Sequence, residues 1–227
     1  MIAKMKTLLR SVLSQRTRSA LKFDYLRLRA RLRNQRRRDL TPPHPSLHFG
    51  CGRRHIADWT NSDVAGSPFD LDLAAPLPWR GEVFETIVSQ QVIEHLDLKT
   101  EVLPLFRELA RTAKPGAEIW LSCPDLAKVC QSYVDNGGAA LKGDRESRWD
   151  VDWMEGMPAS QIVNVLFHQG NEHKNLYDFD LLRWALQETG FTNVERQTEP
   201  DFLARFPEFP ERRDDFHALY VKARRSA

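Results

Sequence analysis

The chain is poor in cysteine and has no long apolar run. Its three cysteines, Cys51, Cys123 and Cys130, are odd in number, and no two of them form a C-x-x-C pair. This pattern predicts neither a disulfide framework nor a zinc knuckle, and it fits a reducing cytoplasm. No stretch of 18 or more apolar residues exists, which argues against a transmembrane helix. Basic residues interrupt the apolar positions at the start of the chain, so no signal peptide is predicted.

Acidic residues are scarce in the first forty positions. That segment holds two aspartates against thirteen lysines and arginines, a balance of +11, whereas the remaining chain carries −9. Apolar residues recur in it at helical spacing, for example at Leu21, Tyr25, Leu28 and Leu32. The proline-rich sequence "TPPHP" then ends the helical pattern. We therefore predict a basic amphipathic helical extension over residues 1–40.

Three kinds of partner are compatible with this extension. Docking on a partner protein, or on the chain's own acidic domain, would use the opposite charges of the two segments. An anionic membrane surface would attract the basic side chains while the apolar residues enter the leaflet. Nucleic acid is disfavoured, because interleaved aromatic residues that stack on bases are lacking. The first two readings stay open, and they predict a protein that is either free in the cytoplasm or peripheral at the inner face of the membrane.

Beyond the prolines, short apolar runs alternate with helical stretches. The predicted strands are "SLHF", "WTNSD", "ETIVSQ", "EIWLSC", "FTNVERQ" and "FHALYVKA". Helices are predicted over 92–113 and 178–189, and one more around 160–167. This order predicts one α/β domain over residues 41–227, with a mostly parallel sheet whose ligand lies at the carboxyl ends of the strands. Weak periodicity over residues 124–177 predicts an insertion that forms a lid or an acceptor wall.

A glycine turn follows the first predicted strand, within "SLHFGCGRRHIADWTNSDV". Gly50 and Gly52 allow a sharp turn and a close approach of the backbone to a ligand. The third glycine of the dinucleotide fingerprint is missing, since His55 stands there, and Asp63 comes only thirteen positions after Gly50. No Gly-Lys-Ser/Thr follows either. A dinucleotide site and a P-loop are therefore both disfavoured.

Further blocks follow in a fixed order: "FDLDLAAPLPW", "FETIVSQQVIEHL" and "LFRELARTAKPGAEIWLSCPD". Together with the glycine turn they resemble the class I S-adenosylmethionine (SAM) dependent methyltransferases, especially the methyltransferase type 11 branch. The resemblance covers about residues 46–125 and returns in "HKNLYDFDLLRWALQETGF". It implies a Rossmann-like fold with a mostly parallel, seven-stranded sheet that has an antiparallel end strand. It also implies that the chain transfers a methyl group from SAM.

The resemblance implies which residues hold the cofactor. Residues 50–52 would supply the close backbone approach, and Asp63 would accept hydrogen bonds from the ribose hydroxyls. Asp72 would contact the adenine amino group, and residues 89–91 would face the methionine portion. The family usually has an acidic residue or asparagine where His48 stands, so it stays open how the ammonium group of SAM is held. The expected cofactor residues are Gly50, Cys51, Gly52, Asp63, Asp72, Leu73, Ser89, Gln90 and Gln91.

Methyl transfer from a sulfonium is an in-line displacement, so a general base is needed only if the acceptor must lose a proton. His95 is the candidate base, because the ordinary pKa of imidazole suits proton transfer near neutrality. Alternatively, Glu94 and His95 only fix the start of a helix and the pocket wall. The expected acceptor or lid residues are Glu94, His168, His173 and Tyr177. No metal site is predicted, because His168 and His173 are five positions apart and no cysteine or carboxylate completes a recognisable set.

The identity of the methyl acceptor is not contained in these motifs. Enzymes of this appearance are often linked to surface polysaccharide or glycolipid synthesis, which makes a glycan or glycolipid precursor the acceptor that the resemblance implies. The alternative from another class is a non-catalytic, methyltransferase-like scaffold that acts through its N-terminal helices.

Overall fold

A computed structural model describes residues 12–35, 39–149 and 154–227. Residues 1–11 and 36–38 of the predicted extension lie outside this range. The strands are β1 Ser46–Phe49, β2 Thr60–Asp63, β3 Phe69–Asp70, β4 Phe84–Gln90, β5 Ala113–Pro124, β6 Phe191–Gln197 and β7 Ala218–Arg225. The α-helices are α1 Gln15–Gln35, α2 Leu103–Thr112, α3 Leu126–Asn136, α4 Ala139–Trp149, α5 Gln161–His168, α6 Phe179–Gln187 and α7 Glu199–Arg205.

One sheet contains all seven strands of the described residues, in the order β3-β2-β1-β4-β5-β7-β6. Neighbours from β3 to β5 are parallel, whereas β7 is antiparallel to both β5 and β6. The predicted parallel sheet with an antiparallel pair at one end is therefore confirmed. The chain order reverses between β1 and β4, and this switch point is where open α/β sheets place their ligands.

Two apolar clusters cover the two faces of the sheet. Successive strand residues point to opposite faces, so Ile87 packs into the larger cluster with Phe106 and Leu182, whereas Val88 packs into the second. The second cluster is mostly aromatic and includes Phe209. Every residue of β4 from Thr86 to Gln90 is buried, so both faces of this central strand are covered.

The single helix predicted over 92–113 is wrong in detail. A 3₁₀ turn at Ile93–His95 and a π-helical turn at Leu98–Val102 precede α2. Asp97 separates the two turns, because its backbone is extended (φ −66°, ψ 131°) and its carboxylate accepts a hydrogen bond from the Thr100 N–H at 2.8 Å. Glu94 and His95 therefore lie in a short turn rather than at the start of a long helix.

The described part of the segment predicted as a weakly patterned insertion contains three α-helices and a 3₁₀ turn at Gln169–Asn171. α5 confirms the helix expected around 160–167, but α3 and α4 are not foreseen. Gly137 ends α3 in the left-handed conformation (φ 65°), so the chain turns back into α4 at once. The three helices share a small apolar core of their own, made of Val129, Leu141, Met154, Ile162 and Leu166.

The N-terminal helix α1 contacts the domain mainly through charge. The Arg27 guanidinium bonds to Asp72 at 3.1 Å and to Glu101 at 2.7 Å, and Arg31 also pairs with Asp72. Ala30 is the buried apolar residue of α1 and is 1% exposed. The opposite charges of the two segments are thus joined by ion pairs.

The apolar stripe predicted for α1 faces away from the domain. Its members are more than half exposed: Leu21 54%, Tyr25 62%, Leu28 55% and Leu32 54%. At 100° per residue these four lie on one side of the helix and Ala30 lies on the other. None of the described helices has both the length and the apolarity that are needed to cross a bilayer.

Candidate active site

The glycine turn joins β1 to the switch point of the sheet. Gly50 and Gly52 both have positive φ angles, 66° and 54°, where side chains other than glycine are strained. A Cβ atom at Gly50 would lie 2.2 Å from Cγ2 of Val92, so the turn packs against the end of β4 only with glycine there. At Gly52 no heavy atom lies within 4 Å of the Cβ position, which leaves this side of the turn accessible to a ligand. Cys51, between them, is buried.

Asp63 ends β2 and is bound to the glycine turn. Its Oδ2 accepts a hydrogen bond from the Gly52 N–H at 2.8 Å, and its Oδ1 accepts one from the Val64 N–H at 2.6 Å. The Cys51 N–H also donates to the Ser62 carbonyl at 3.1 Å, which fixes the turn beside β2. Each carboxylate oxygen has two lone pairs, so Asp63 can accept further hydrogen bonds from ligand hydroxyls.

Two polar residues end β4, and a third follows directly after it. Ser89 and Gln90 are buried, and the Ser89 hydroxyl has no hydrogen-bond partner among the described residues. Gln91 leaves the strand with a positive φ of 59°, and its N–H donates to the Ser122 carbonyl at 2.8 Å. These residues lie beside the glycine turn, because β4 is the parallel neighbour of β1.

The structure adds Asp214 to this end of the sheet. Its Oδ2 accepts hydrogen bonds from Gln91 Nε2 at 3.3 Å and from Arg212 Nε at 2.8 Å, and its Oδ1 accepts one from the Tyr220 hydroxyl at 2.6 Å. Asp214 is buried, although it belongs to the polar segment between α7 and β7. Nothing in the local sequence distinguishes it from its charged neighbours, so sequence reasoning missed it.

Asp72 and Leu73 follow β3. The Asp72 side chain is 3% exposed, and it accepts hydrogen bonds from Arg27, Arg31 and the Ala74 N–H. Leu73 packs against the edge of the main core. Adenine recognition by Asp72 stays a prediction, and in the described arrangement the adenine would compete with two arginines of α1 for this carboxylate.

His48 lies on the aromatic side of the sheet. Its ring centroid is 4.9 Å from that of Phe209, in an edge-to-face arrangement. Burial lowers the pKa of His48 to about 4, so the imidazole is neutral at physiological pH. The adjacent Leu47 and Phe49 point to the other face, into the main core. His48 therefore acts as a core residue beside the glycine turn and supplies no charge to it.

Glu94, His95 and His173 meet in space, although His173 is 78 positions away from His95. One possible ligand atom from each side chain lies within 4.8 Å of the corresponding atoms of the other two. Glu94 is 1% exposed, its Oε2 has no hydrogen-bond partner among the described residues, and burial raises its pKa to about 8. Burial also lowers the pKa of His95, and it lowers that of His173 to about 4. Both imidazoles are thus neutral at pH 7.

A short segment of the chain holds His173 against the 3₁₀ turn. The Glu94 carbonyl accepts hydrogen bonds from the N–H groups of Lys174 and Asn175, at 2.8 and 3.2 Å. Asn175 Nδ2 donates to the Leu96 carbonyl at 2.5 Å, and Lys174 Nζ pairs with Glu101 at 2.7 Å. The backbone positions of the three clustered residues are therefore fixed by direct contacts.

The other two predicted acceptor residues are a surface histidine and a core tyrosine. His168 is exposed at the end of α5. Tyr177 is fully buried in the main core, where burial raises its pKa well above the ordinary value, and its hydroxyl has no partner among the described residues. Glu94 and His173 meet, and the His173 N–H donates to the His168 carbonyl at 3.4 Å. That all four residues line one acceptor wall stays a prediction.

No known family model and no curated protein sequence matches the chain. Among solved structures, it is similar to a SAM-dependent methyltransferase from Mesorhizobium loti, with 17% identity, a TM-score of 0.45, and coverage of 82% of this chain and 92% of that chain. It is also similar to phosphoethanolamine N-methyltransferase 2 of Haemonchus contortus, solved with phosphomonomethylethanolamine and S-adenosylhomocysteine, with 11% identity, a TM-score of 0.46, and coverage of 82% and 50%. Because both scores are below 0.5, the fold assignment rests on strand order and direction. By those criteria the chain has the Rossmann-like fold of the class I SAM-dependent methyltransferases.

Proposed function

We propose that the chain transfers a methyl group from SAM to an acceptor. The observation that carries this proposal is the hydrogen bond of 2.8 Å between the Gly52 N–H and Asp63, which joins the glycine turn to the end of β2 at the switch point. In this proposal residues 41–227 are the catalytic domain, residues 124–177 form its lid, and residues 1–40 are a docking extension.

The residues at the switch point suit SAM. Gly52 lets the ligand approach the backbone, and Asp63 has free lone pairs for the ribose diol. The unpaired hydroxyl of buried Ser89 is a group for which a polar ligand atom would be a partner. Cys51 lies in the glycine turn, and Gln90 and Gln91 lie at the end of β4. These three residues complete the proposed cofactor site. When bound, SAM supplies an electrophilic methyl group on a sulfonium.

His95 is the general base of this proposal for acceptors that must lose a proton. Its Nδ1 lies 3.3 Å from the Glu172 carbonyl. With the proton on Nδ1 directed to that carbonyl, Nε2 is left with a free lone pair. The lowered pKa of His95 keeps the imidazole neutral at pH 7, so the ring can accept a proton.

Calorimetric titration of the full chain with SAM and S-adenosylhomocysteine tests the cofactor assignment. Asp63→Asn keeps the size of the side chain but removes its charge, so we expect at least tenfold weaker binding. Asp180→Asn is the matched control, because the Asp180 side chain is 79% exposed on α6. The assignment is wrong if the unmodified protein binds no SAM at millimolar concentration.

The acceptor in this proposal is a membrane-associated glycan or glycolipid precursor. Incubation with methyl-labelled SAM and fractionated cell extract should carry label into the lipid or glycan fraction. Label in protein or RNA would contradict this acceptor class and leave the methyltransferase activity supported. Tight SAM binding without transfer to any fraction would favour the non-catalytic scaffold.

We further propose that α1 docks on an anionic membrane surface. The apolar stripe Leu21, Tyr25, Leu28 and Leu32 is directed away from the domain, and exposed Lys22 and Arg29 lie beside it. Apolar side chains flanked by cations are the surface that enters an anionic leaflet in the interfacial plane. The charge of +11 in residues 1–40 adds to this attraction.

Flotation with vesicles tests this docking. Full-length protein should float with vesicles that contain phosphatidylglycerol, and float at least tenfold less with pure phosphatidylcholine. Leu28→Glu should remove the binding, whereas Val134→Glu, at a 78% exposed position on α3, should leave it unchanged. If Leu28→Glu binds the vesicles as well as the unmodified protein does, the membrane proposal is refuted. If instead the unmodified protein forms a concentration-dependent dimer that Leu28→Glu loses, the apolar stripe binds a second copy of the chain.

A further inference from the structure

We propose that Glu94, His95 and His173 bind a divalent metal ion. This inference does not rest on the methyltransferase activity, since it uses only side chains of the cluster and their neighbours. Among the described residues, these three form the group of histidine, cysteine and acidic side chains whose ligand atoms approach one another closely enough to share an ion.

The spacing of the ligand atoms is close to that of a bound site. The three atoms lie within 4.8 Å of one another. A tetrahedral zinc ion with bonds of about 2.0 to 2.1 Å separates its ligand atoms by about 3.4 Å. The side chains therefore need to close by up to about 1.4 Å, a distance that side-chain rotations can cover.

The two histidines have the hydrogen-bond pattern of metal ligands. His173 Nδ1 lies 2.5 Å from the Leu166 carbonyl, and His95 Nδ1 lies 3.3 Å from the Glu172 carbonyl. A carbonyl can only accept, so each Nδ1 is the protonated donor and each Nε2 presents a lone pair. Metal-binding histidines commonly donate their second nitrogen to a carbonyl in this way, which fixes the tautomer and the ring orientation.

The carboxylate has an unexplained oxygen. Glu94 is 99% buried, and its Oε2 has no hydrogen-bond partner among the described residues. A buried acidic oxygen without a partner is costly and rarely occurs in a folded protein. A cation held together with the two imidazoles would displace the proton of this carboxyl group to solvent and supply the missing partner.

The donor set indicates the class of ion. Two imidazoles and one carboxylate suit zinc or a related first-row ion, whereas magnesium and calcium prefer oxygen ligands. Three protein ligands leave a coordination position open, as in catalytic rather than structural zinc sites. The ion and the proton compete for Nε2 of His95, so the base role of His95 applies to the metal-free protein.

Titration of chelator-treated, full-length protein with zinc tests the site. We expect binding of one equivalent with micromolar affinity or tighter, and at least tenfold weaker binding in Glu94→Gln and in His173→Gln. His168→Gln is the matched control, because His168 is an exposed histidine five positions from His173. This variant should bind zinc as tightly as the unmodified protein does. Magnesium at the same concentration should not bind measurably.

Cobalt provides a second readout that identifies the ligands. Bound cobalt should give visible d–d absorption without the thiolate charge-transfer bands that Cys51, Cys123 or Cys130 would add. Circular dichroism and thermal unfolding confirm that each variant is folded, and zinc should raise the midpoint of the unmodified protein but not that of His173→Gln. The proposal would be overturned if the protein binds no zinc or if the cobalt spectrum shows thiolate bands. It would also be overturned if His168→Gln loses as much zinc affinity as His173→Gln does. Loss of SAM binding alone would not affect it.

Discussion

Helices α1 and α2 contact the same domain with opposite faces. α2 buries Leu105, Phe106 and Leu109 against the sheet, and its Arg107 and Arg111 are exposed. α1 does the reverse: its arginines pair with acidic residues of the domain and its apolar stripe is exposed. Amphipathicity alone therefore does not say which face of a helix meets the protein.

The difference has consequences for stability. Burial of apolar side chains is non-directional and little affected by salt, so α2 is part of the cooperative core. Ion pairs at a partly exposed interface are screened by salt and require a specific protonation state. We expect α1 to be released under conditions that leave α2 in place.

The largest expected effect concerns the core helix. Leu109→Ala removes a fully buried side chain from α2 and should lower the free energy of unfolding by about 2 to 5 kcal/mol. Leu28→Ala, the same substitution on the exposed stripe of α1, should change it by less than about 0.5 kcal/mol. Denaturant unfolding measures both values, and similar losses in the two variants would contradict the comparison.

A smaller effect is expected at the ion pairs of α1. Arg27→Met removes bonds to Asp72 and Glu101 and leaves the buried Asp72 with fewer partners, at a cost of about 1 to 3 kcal/mol. Hydrogen exchange should become faster at the amides of α1, and amides of α2 should be unchanged. Arg29→Met, at an exposed position of α1, is the control. Faster exchange in both helices would show that α1 is part of the core.

The smallest expected effect is a dependence on pH. Burial raises the pKa of Glu101, but hydrogen bonds from Lys174, the Asp97 N–H and Arg27 outweigh it and leave the pKa below its ordinary value of 4.5. A lowered pKa contributes stability that is present above about pH 4.5 and is lost as the pH falls below it. Only the bond from Arg27 belongs to α1, so protection of α1 should drop by less than about 1 kcal/mol on acidification in the unmodified protein. Glu101→Gln should lack this step, and an identical pH profile in that variant would exclude Glu101 as the cause.

Much of the fold was readable from the sequence. The strands around the glycine turn, the helix α6 and the antiparallel pair at the end of the sheet follow from apolar runs, capping residues and turn signals. Two short helices, α3 and α4, were missed because their apolar residues serve a separate small core and their periodicity is weak over eleven residues each. The break at Asp97 was missed because one capping side chain interrupts an otherwise helical pattern.

The candidate site was only partly predictable. Gly50, Gly52 and Asp63 are linked by a short stretch of chain, so their spacing already limits the ligand. Glu94 and His173 are both among the expected acceptor or lid residues, but only the fold shows that they meet with His95 in one cluster. The burial of Tyr177 and the exposure of His168 could not be predicted either, since residue type does not determine burial.

The sequence by itself determined the α/β order, the glycine turn with its early aspartate, and a basic helix within the first forty residues. These features depend on neighbours along the chain and on simple periodicity. The tertiary structure alone decided which face of α1 is free, that Asp72 pairs with two arginines, and that a glutamate and two histidines form one cluster. The physical reason is that each of these outcomes depends on distances between segments far apart in the chain, which no local pattern encodes.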